Sequence, residues 1–302
     1  MRIVITGGAG FIGSHLVEGL ARVKADVKVI DNLSSGKIEN IRPSSKKIKF
    51  VKGDIRDLAL LKKEFKDYGV VLHQAAIIEV VKSVRNPLNT NDVNVNGTLK
   101  VLLAAKDAGI KRVVFASSAA VYGDKENVRE NSELSSRSPY ATTKIAGEEY
   151  CRLFYHLYGL ETVILRYFNI YGKGQPSNTS YGAVIPNFIS ALQKGKKPTI
   201  FGDGKQTRDY VYVKDIVAAN LLALKKKSAV GKTFNVASGE SVSILDLFST
   251  VSKILKKRVR PKFSKEREGD IKYSSANIEN SINYLGYLPK YNIEKGIRDM
   301  LK

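Results

Sequence analysis

The chain has 302 residues, 43% of them hydrophobic, enough for one large domain or for one domain with a smaller lobe. Its single cysteine, Cys151, excludes an intramolecular disulfide, and no apolar run approaches membrane-spanning length. The formal net charge of +21 is dispersed, in "KKIKF" (46–50), "LKKK" (224–227) and "KKRVRPK" (256–262), and no basic run is interleaved with aromatics as a nucleic-acid stacking platform would be.

In chain order, "RIVIT" (2–6) reads as a strand, without the basic, apolar and cleavage regions of a signal peptide. The expectation is a soluble, cytoplasmic protein with no membrane partner. A helix follows over roughly 11–23, then strands "VKVID" (27–31) and "IKFVKGD" (48–54), a helix near 56–67, and the strand "GVVLHQAA" (69–76). A long helix over about 91–108 leads to "KRVVFASS" (111–118), a helix opened by "SPYATTK" (138–144), and "ETVILRYFN" (161–169). Short β-branched runs alternating with helices predict an α/β fold, a doubly wound parallel sheet. After residue 170 the pattern loosens into turns and short strands. Residues 1–169 are read as one domain, with elements near 205–237 returning to it, and 170–204 with 238–302 as a smaller lobe.

"VITGGAGFIGSHL" places Gly7, Gly10 and Gly13 between a strand and a helix. Glycines let the backbone approach a pyrophosphate, and the helix N-terminus offers unpaired N–H groups and positive potential. In the first strand–helix–strand unit this points to dinucleotide binding. Asp31 ends the second strand, where a carboxylate accepts from an unmodified ribose and repels a 2′-phosphate, so NAD is expected rather than NADP. Asp54 ends the next strand, in reach of an adenine amino group. The small alanines of "HQAA" (73–76) leave room for a cofactor or pack a helix.

In "SPYATTK", Ser138 suits an N-cap and Pro139 the first helical position. Tyr140 and Lys144 then share one helix face, a turn apart. An ammonium near a phenol favours phenolate, a base. The same spacing also describes a surface tyrosine beside a solvated lysine, and the fragment alone does not choose.

The motifs "TGGAGFIG", "DNLSSG", "GDIRD", "HQAA", "NVNGT", "SSAAVYG", "PYATTK" and "LRYFNIYG" resemble those of the extended short-chain dehydrogenase/reductase superfamily. "GDGKQTRDYVYVKD" and "REGD" extend the likeness to the UDP-glucose 4-epimerase group of nucleotide-sugar epimerases. The resemblance covers nearly the whole chain. It implies a Rossmann-type sheet, a smaller C-terminal α/β substrate lobe and a homodimer packed through helices near 91–108 and 140–158. Tyr140 and Lys144 become the Tyr-x-x-x-Lys pair, with Ser118 on the reacting sugar hydroxyl. Lys144 would hold the nicotinamide ribose and lower the phenol pKa, helped by the cationic nicotinamide. Beside the three glycines, the resemblance places Phe11 and Ile12 in the phosphate loop. It places Asn32, Ser35 and Gly36 beside Asp31, and Ile55 beside Asp54. Gln74, Ala75, Ala76, Asn94 and Phe168 complete the cofactor set. The substrate set is Ser118, Asn169, Val184, Thr199, Phe201, Arg208, Arg267 and Ser274, with the two arginines on the diphosphate and Phe201 stacked on uracil. The implied reaction is oxidation of the sugar 4-hydroxyl by NAD, rotation of the 4-keto sugar, and reduction from the other face. No metal is required, and three scattered histidines and one cysteine make no metal cluster.

Two departures from the group stand out. Ile77, Ile78 and Glu79 follow the fourth strand where some members carry a lysine near the nicotinamide. Ser274 stands where some glucose/galactose-specific members carry tyrosine, which enlarges the pocket beside the sugar C2 and implies tolerance of N-acetylhexosamines. Competing functions are other nucleotide-sugar enzymes and a non-catalytic NAD-binding protein with a basic nucleic-acid surface. Ala119 and Ala120 stand where dehydratases and decarboxylases carry acids, and alanine does no proton chemistry. Asp31 disfavours the NADPH that a 4-reductase would consume. The intact Ser118, Tyr140 and Lys144 argue against lost catalysis.

Overall fold

The computed structural model describes residues 1–41, 48–176, 183–266 and 271–302. Its strands are β1 (Arg2–Thr6), β2 (Asp26–Asp31), β3 (Ile48–Lys52), β4 (Val70–His73), β5 (Arg112–Ser118), β6 (Lys125–Val128), β7 (Glu161–Tyr167), β8 (Asn169–Tyr171), β9 (Thr199–Phe201), β10 (Thr207–Tyr212), β11 (Thr233–Val236), β12 (Ser241–Ser243), β13 (Lys262–Ser264) and β14 (Ser274–Ala276). Seven of them form one parallel sheet in the order β11-β7-β5-β4-β1-β2-β3. The central strands read as unbroken apolar runs because both faces are covered. Ile3, Val4 and Ile5 of β1 are fully buried. The order reverses between β1 and β4, and such a switch point opens a crevice beyond the strand ends.

The helices are α1 (Phe11–Arg22), α2 (Leu58–Phe65), α3 (Val80–Arg85), α4 (Pro87–Asn91), α5 (Gly97–Asp107), α6 (Pro139–Tyr158), α7 (Val184–Gln193), α8 (Val213–Lys225), α9 (Ile244–Ile254) and α10 (Ile293–Met300). One core, with Leu16, Leu20, Ile216 and Ala219, lies under α1 and α8; the opposite core holds Leu61, Phe65, Leu102 and Phe154 of α2, α5 and α6. A third cluster, including Phe188, Leu192, Ile200 and Leu247, joins α7 and α9 to the short strands. Within residues 205–237, β11 completes the large sheet, α8 packs on α1, and β10 pairs with β8 and β12 in a three-stranded sheet. No helix among the described residues is long and apolar enough to cross a membrane.

Helix α6 begins as its sequence dictates. Ser138 Oγ accepts from Ala141 N at 3.2 Å, Pro139 occupies the first turn, and Gly159 closes the helix at φ 67°. The helix expected over 91–108 is not uniform. Asp92–Asn96 form a π-helical turn between α4 and α5. Such turns recur at functional sites, and this one carries Asn94.

Candidate active site

The loop after β1 is set by close backbone approach. A Cβ on Gly7, itself at φ +73°, would stand 2.6 Å from Ala75 N, and one on Gly13 would stand 2.1 Å from the Gly7 carbonyl oxygen. At Gly10 a Cβ would meet only the Gly7 oxygen, at 3.4 Å. The protein's own packing therefore does not demand glycine at position 10. Gly10 is also the N-cap of α1, with no side-chain cap and no acidic residue in the first turn. Its first N–H groups are offered outward with positive potential, and the open space over Gly10 suits a pyrophosphate. Phe11 packs with the third core cluster and Ile12 with the first, so their side chains anchor the helix start.

Asp31 is buried at the end of β2. One carboxylate oxygen accepts from Ala9 N at 2.9 Å and the other from Leu33 N at 2.8 Å. Each keeps a further lone pair for a ribose hydroxyl. Gly36 lies against this loop: its Cβ would stand 2.7 Å from the Ala9 carbonyl carbon. Asn32 and Ser35 are exposed beside it, and Asn32 Nδ2 donates to Asp54 at 2.9 Å. Asp54 is gripped by the Arg56 guanidinium, which holds its carboxyl well below the usual range despite partial burial. Ile55 is buried below, in contact range of Gly97.

Beyond β4, Gln74 Nε2 donates to the Tyr167 hydroxyl at 3.2 Å, and Ala75 and Ala76 are partly exposed. Asn94 is buried and clamps the next residue: its Oδ1 accepts from Ile77 N at 2.8 Å, and its Nδ2 donates to Ile77 O at 2.9 Å and Thr143 Oγ1 at 3.0 Å. Both amide protons go to protein atoms, so Asn94 ties the loop after β4 to α6. Phe168 is core, packed near Tyr122.

Ser118, Tyr140 and Lys144 come together at the end of β5. The Tyr140 hydroxyl lies beside Ser118, whose Oγ accepts from Ala120 N at 3.2 Å, and Lys144 Nζ donates to Ala116 O at 2.8 Å. Tyr140 and Lys144 are both buried, which removes the surface-pair alternative. The lowering of the Tyr140 pKa by Lys144 is not what the protein's own groups produce. Burial raises it, and the Ser118 hydrogen bond only partly offsets this. Lys144 Nζ stands 5.8 Å from the phenol ring centroid, and burial pushes the ammonium itself down to about 8.

Among the residues expected to meet the sugar nucleotide, Asn169 Nδ2 donates to Asp209 O at 3.2 Å. Val184 opens α7, Thr199 is exposed, and Phe201 is partly buried at the end of β9. The Arg208 guanidinium donates to the carbonyls of Thr207, Ile271 and Lys272, binding β10 to the segment before β14. Arg267 lies outside the described residues. Ser274 is buried in β14, paired with Lys125 of β6.

Sequence reasoning passed over two groups behind the site. His73 lies between Thr6 Oγ1 at 2.7 Å and Thr98 Oγ1 at 3.0 Å. The Thr98 hydroxyl proton goes to Asn94 O, so His73 Nε2 carries a proton and Nδ1 accepts from Thr6. Burial, reinforced by Lys144, drives His73 down to about 3 and keeps it neutral. The second group is Glu148, one turn beyond Lys144, whose signal in the sequence was its spacing of eight from Tyr140.

Comparison with known proteins agrees with this geometry. Residues 3–237 match the NAD dependent epimerase/dehydratase family. The UDP-glucose 4-epimerase of Mycolicibacterium smegmatis is 38% identical over 304 residues, covering 98% of this chain and 96% of that protein. The solved UDP-N-acetylglucosamine 4-epimerase of Methanobrevibacter ruminantium, in complex with UDP-N-acetylmuramic acid, superposes with a TM-score of 0.94 at 42% identity, covering 99% and 96%. The UDP-glucuronic acid 4-epimerase of Bacillus cereus, solved with UDP-glucuronic acid and NAD, gives a TM-score of 0.92 at 32% identity, covering 99% and 98%. With its glycine loop at the switch point and its tyrosine and lysine buried beside Ser118, the chain belongs to the NAD dependent epimerase/dehydratase family.

Proposed function

We propose that this chain is an isomerase of the EC 5.1.3 class that inverts C4 of a UDP-hexose, interconverting UDP-glucose and UDP-galactose, with the N-acetylhexosamine pair also accepted. The observation that carries the reading is the burial of Tyr140 and Lys144 together at the end of β5 beside Ser118, with Lys144 Nζ fixed on Ala116 O at 2.8 Å, at the sheet end that also bears the glycine loop. The names of its relatives support a UDP-sugar and C4 chemistry.

NAD held by the first turn of α1 and Asp31 would supply the redox chemistry, as acceptor and then donor of a hydride at sugar C4. The protein supplies the proton path and the positioning. Tyr140 takes the proton of the 4-hydroxyl, bridged by Ser118, and later gives it back to the inverted alcohol. Between these events the 4-keto sugar turns over about its diphosphate linkage. Phenolate must form in a buried place, so Lys144 is the chain's own nearby cation. The first turn of α1 and Asp31 hold the dinucleotide. Val184, Thr199 and Phe201, with Arg267, hold the UDP-sugar in the lobe formed by 170–204 and 238–302, and Asn169 and Arg208 contribute from beside it. Ser274, small and buried, leaves room beside C2.

The active form is a homodimer. Leu153 and Leu157 lie one turn apart on α6, 48% and 67% exposed, with Tyr158 beside them. Such a stripe on a helix otherwise packed into the core suits burial against a second copy. Light scattering at twice the chain mass is expected, and a monomer would refute it.

The deciding experiment is a proton NMR time course with UDP-galactose and UDP-N-acetylgalactosamine in separate tubes, with and without added NAD. The expected result is growth of the anomeric signal of the 4-epimer in both. No epimer from either sugar, NAD present, would overturn the substrate assignment.

A further inference from the structure

The spacing that joins Tyr140 to Lys144 continues for one more turn. Positions 140, 144 and 148 form one stripe along α6, and each side chain ends on the last three residues of β5. The Tyr140 hydroxyl lies beside Ser118. Lys144 Nζ meets the Ala116 carbonyl at 2.8 Å. Glu148 Oε1 accepts from Ser117 Oγ at 2.5 Å. The helix backbone rests directly on the ring of Phe115 in β5, since a Cβ on Gly147 would stand 2.5 Å from Phe115 Cζ.

Glu148 is fully buried. Burial opposes its charge, but Arg166 of β7 holds the carboxyl below the usual range through bonds of 2.8 and 2.6 Å. Arg152, on α6, adds a third bond at 2.9 Å. Lys144 is the remaining charged group facing it, and buried Cys151 stays neutral. Arg166 Nη1 in turn donates to the Tyr122 hydroxyl at 2.7 Å, in the turn that follows Ser118. The carboxylate thus grips the chain on both sides of Ser118, through Ser117 before it and through Arg166 and Tyr122 after it.

We propose that Glu148 and Ser117 are positioning residues: their hydrogen bond fixes the register of α6 against the end of β5, and with it the meeting of the Ser118 and Tyr140 hydroxyls. The proposal rests on the reading of those hydroxyls as the proton path. Alternation along the strand puts Phe115 and Ser117 on the face that carries α6, so this bond is the lock that a sliding helix must break.

The test uses Ser117→Ala, which removes the lock without unbalancing the buried charges, and Glu148→Gln as the stronger perturbation. The nucleotide-loaded protein, labelled with carbon-13 at tyrosine Cζ, is titrated by NMR, with Tyr140→Phe assigning the signal. Charged or titratable groups facing Tyr140 are Lys144 and, through Lys144, neutral His73. Ser117→Ala is expected to raise the Tyr140 midpoint by about half a unit or more, because the bond from Ser118 to the phenolate weakens. It lowers kcat about threefold to tenfold at unchanged KM for the UDP-sugar. Arg152→Ala, which leaves the Ser117 bond intact, changes neither. If Ser117→Ala shifts only the melting temperature, leaving the Tyr140 midpoint and kcat as in wild type, the positioning role is overturned. If wild-type protein epimerises no UDP-sugar, the functional reading fails, while the Tyr140 titration still decides this proposal.

Discussion

Gly10 and Gly13 sit three residues apart in one loop, and the structure assigns them opposite reasons for being glycine. A methyl at position 13 would lie 2.1 Å from a backbone oxygen that cannot move without reshaping the loop. Overpacking against backbone costs about 1–3 kcal/mol or more. At about 2–4 °C per kcal/mol, that lowers the melting temperature of Gly13→Ala by several degrees. At Gly10 the backbone is extended at φ −75°, which alanine adopts freely. Alanine there gains about 0.4–1 kcal/mol from the unfolded chain and loses about 1 kcal/mol as a poorer N-cap, so the two nearly cancel. Gly10→Ala should therefore melt within about 1–2 °C of wild type when stripped of nucleotide. Its methyl would instead occupy the space over the helix start. NAD affinity, measured by calorimetric titration, should fall at least about tenfold, equivalent to 1.4 kcal/mol. Wild-type NAD affinity in Gly10→Ala, or destabilisation equal to that of Gly13→Ala, would refute the placement of the pyrophosphate.

Tyr140→Phe should cut kcat by about 10²–10⁴-fold with UDP-sugar binding retained, the outcome expected if Tyr140 is the proton acceptor; activity within tenfold of wild type would remove Tyr140 from the mechanism. His73 is neutral when folded and titrates near 3, against about 6.5 unfolded. A depressed histidine contributes stability that is complete above the unfolded value and is lost as pH falls toward the folded one. Denaturant unfolding at pH 5 should therefore show about 2 kcal/mol less stability than at pH 7 from this group, and His73→Gln should abolish that part of the slope. Ser274→Tyr should lower turnover of the N-acetylated sugar relative to the plain one; an unchanged ratio would mean Ser274 does not face C2.

The parts legible in the sequence were those that rest on local sterics and capping. The glycine loop, the parallel alternation and the Ser138–Pro139 start of α6 each follow from a few neighbouring residues. The π-helical turn at Asp92–Asn96 was not legible, because its cause is Asn94 reaching Ile77 and Thr143, both distant in sequence. The direction of the Tyr140 shift was also hidden. A tyrosine and a lysine four apart report their mutual attraction, whereas the larger effect, burial, depends on everything packed around α6. Arg208 shows the same limit: its arginine signal is legible, but its bonds to three carbonyls near β10 depend on where the segment before β14 folds back.

Strand β11 closes the sheet beside β7, yet about 66 residues of chain separate Tyr167 from Thr233. On a ribosome adding about 5–20 residues per second, that delay is on the order of 3–13 s. For that interval β7 is a bare edge, with unpaired backbone groups from Ile164 to Tyr167 open to another nascent chain. Asn235, which receives the Tyr122 hydroxyl and ties down Val128, arrives only at the end of it. A chain ending before residue 233 would keep that edge of β7 bare, and is expected to aggregate where the full chain does not.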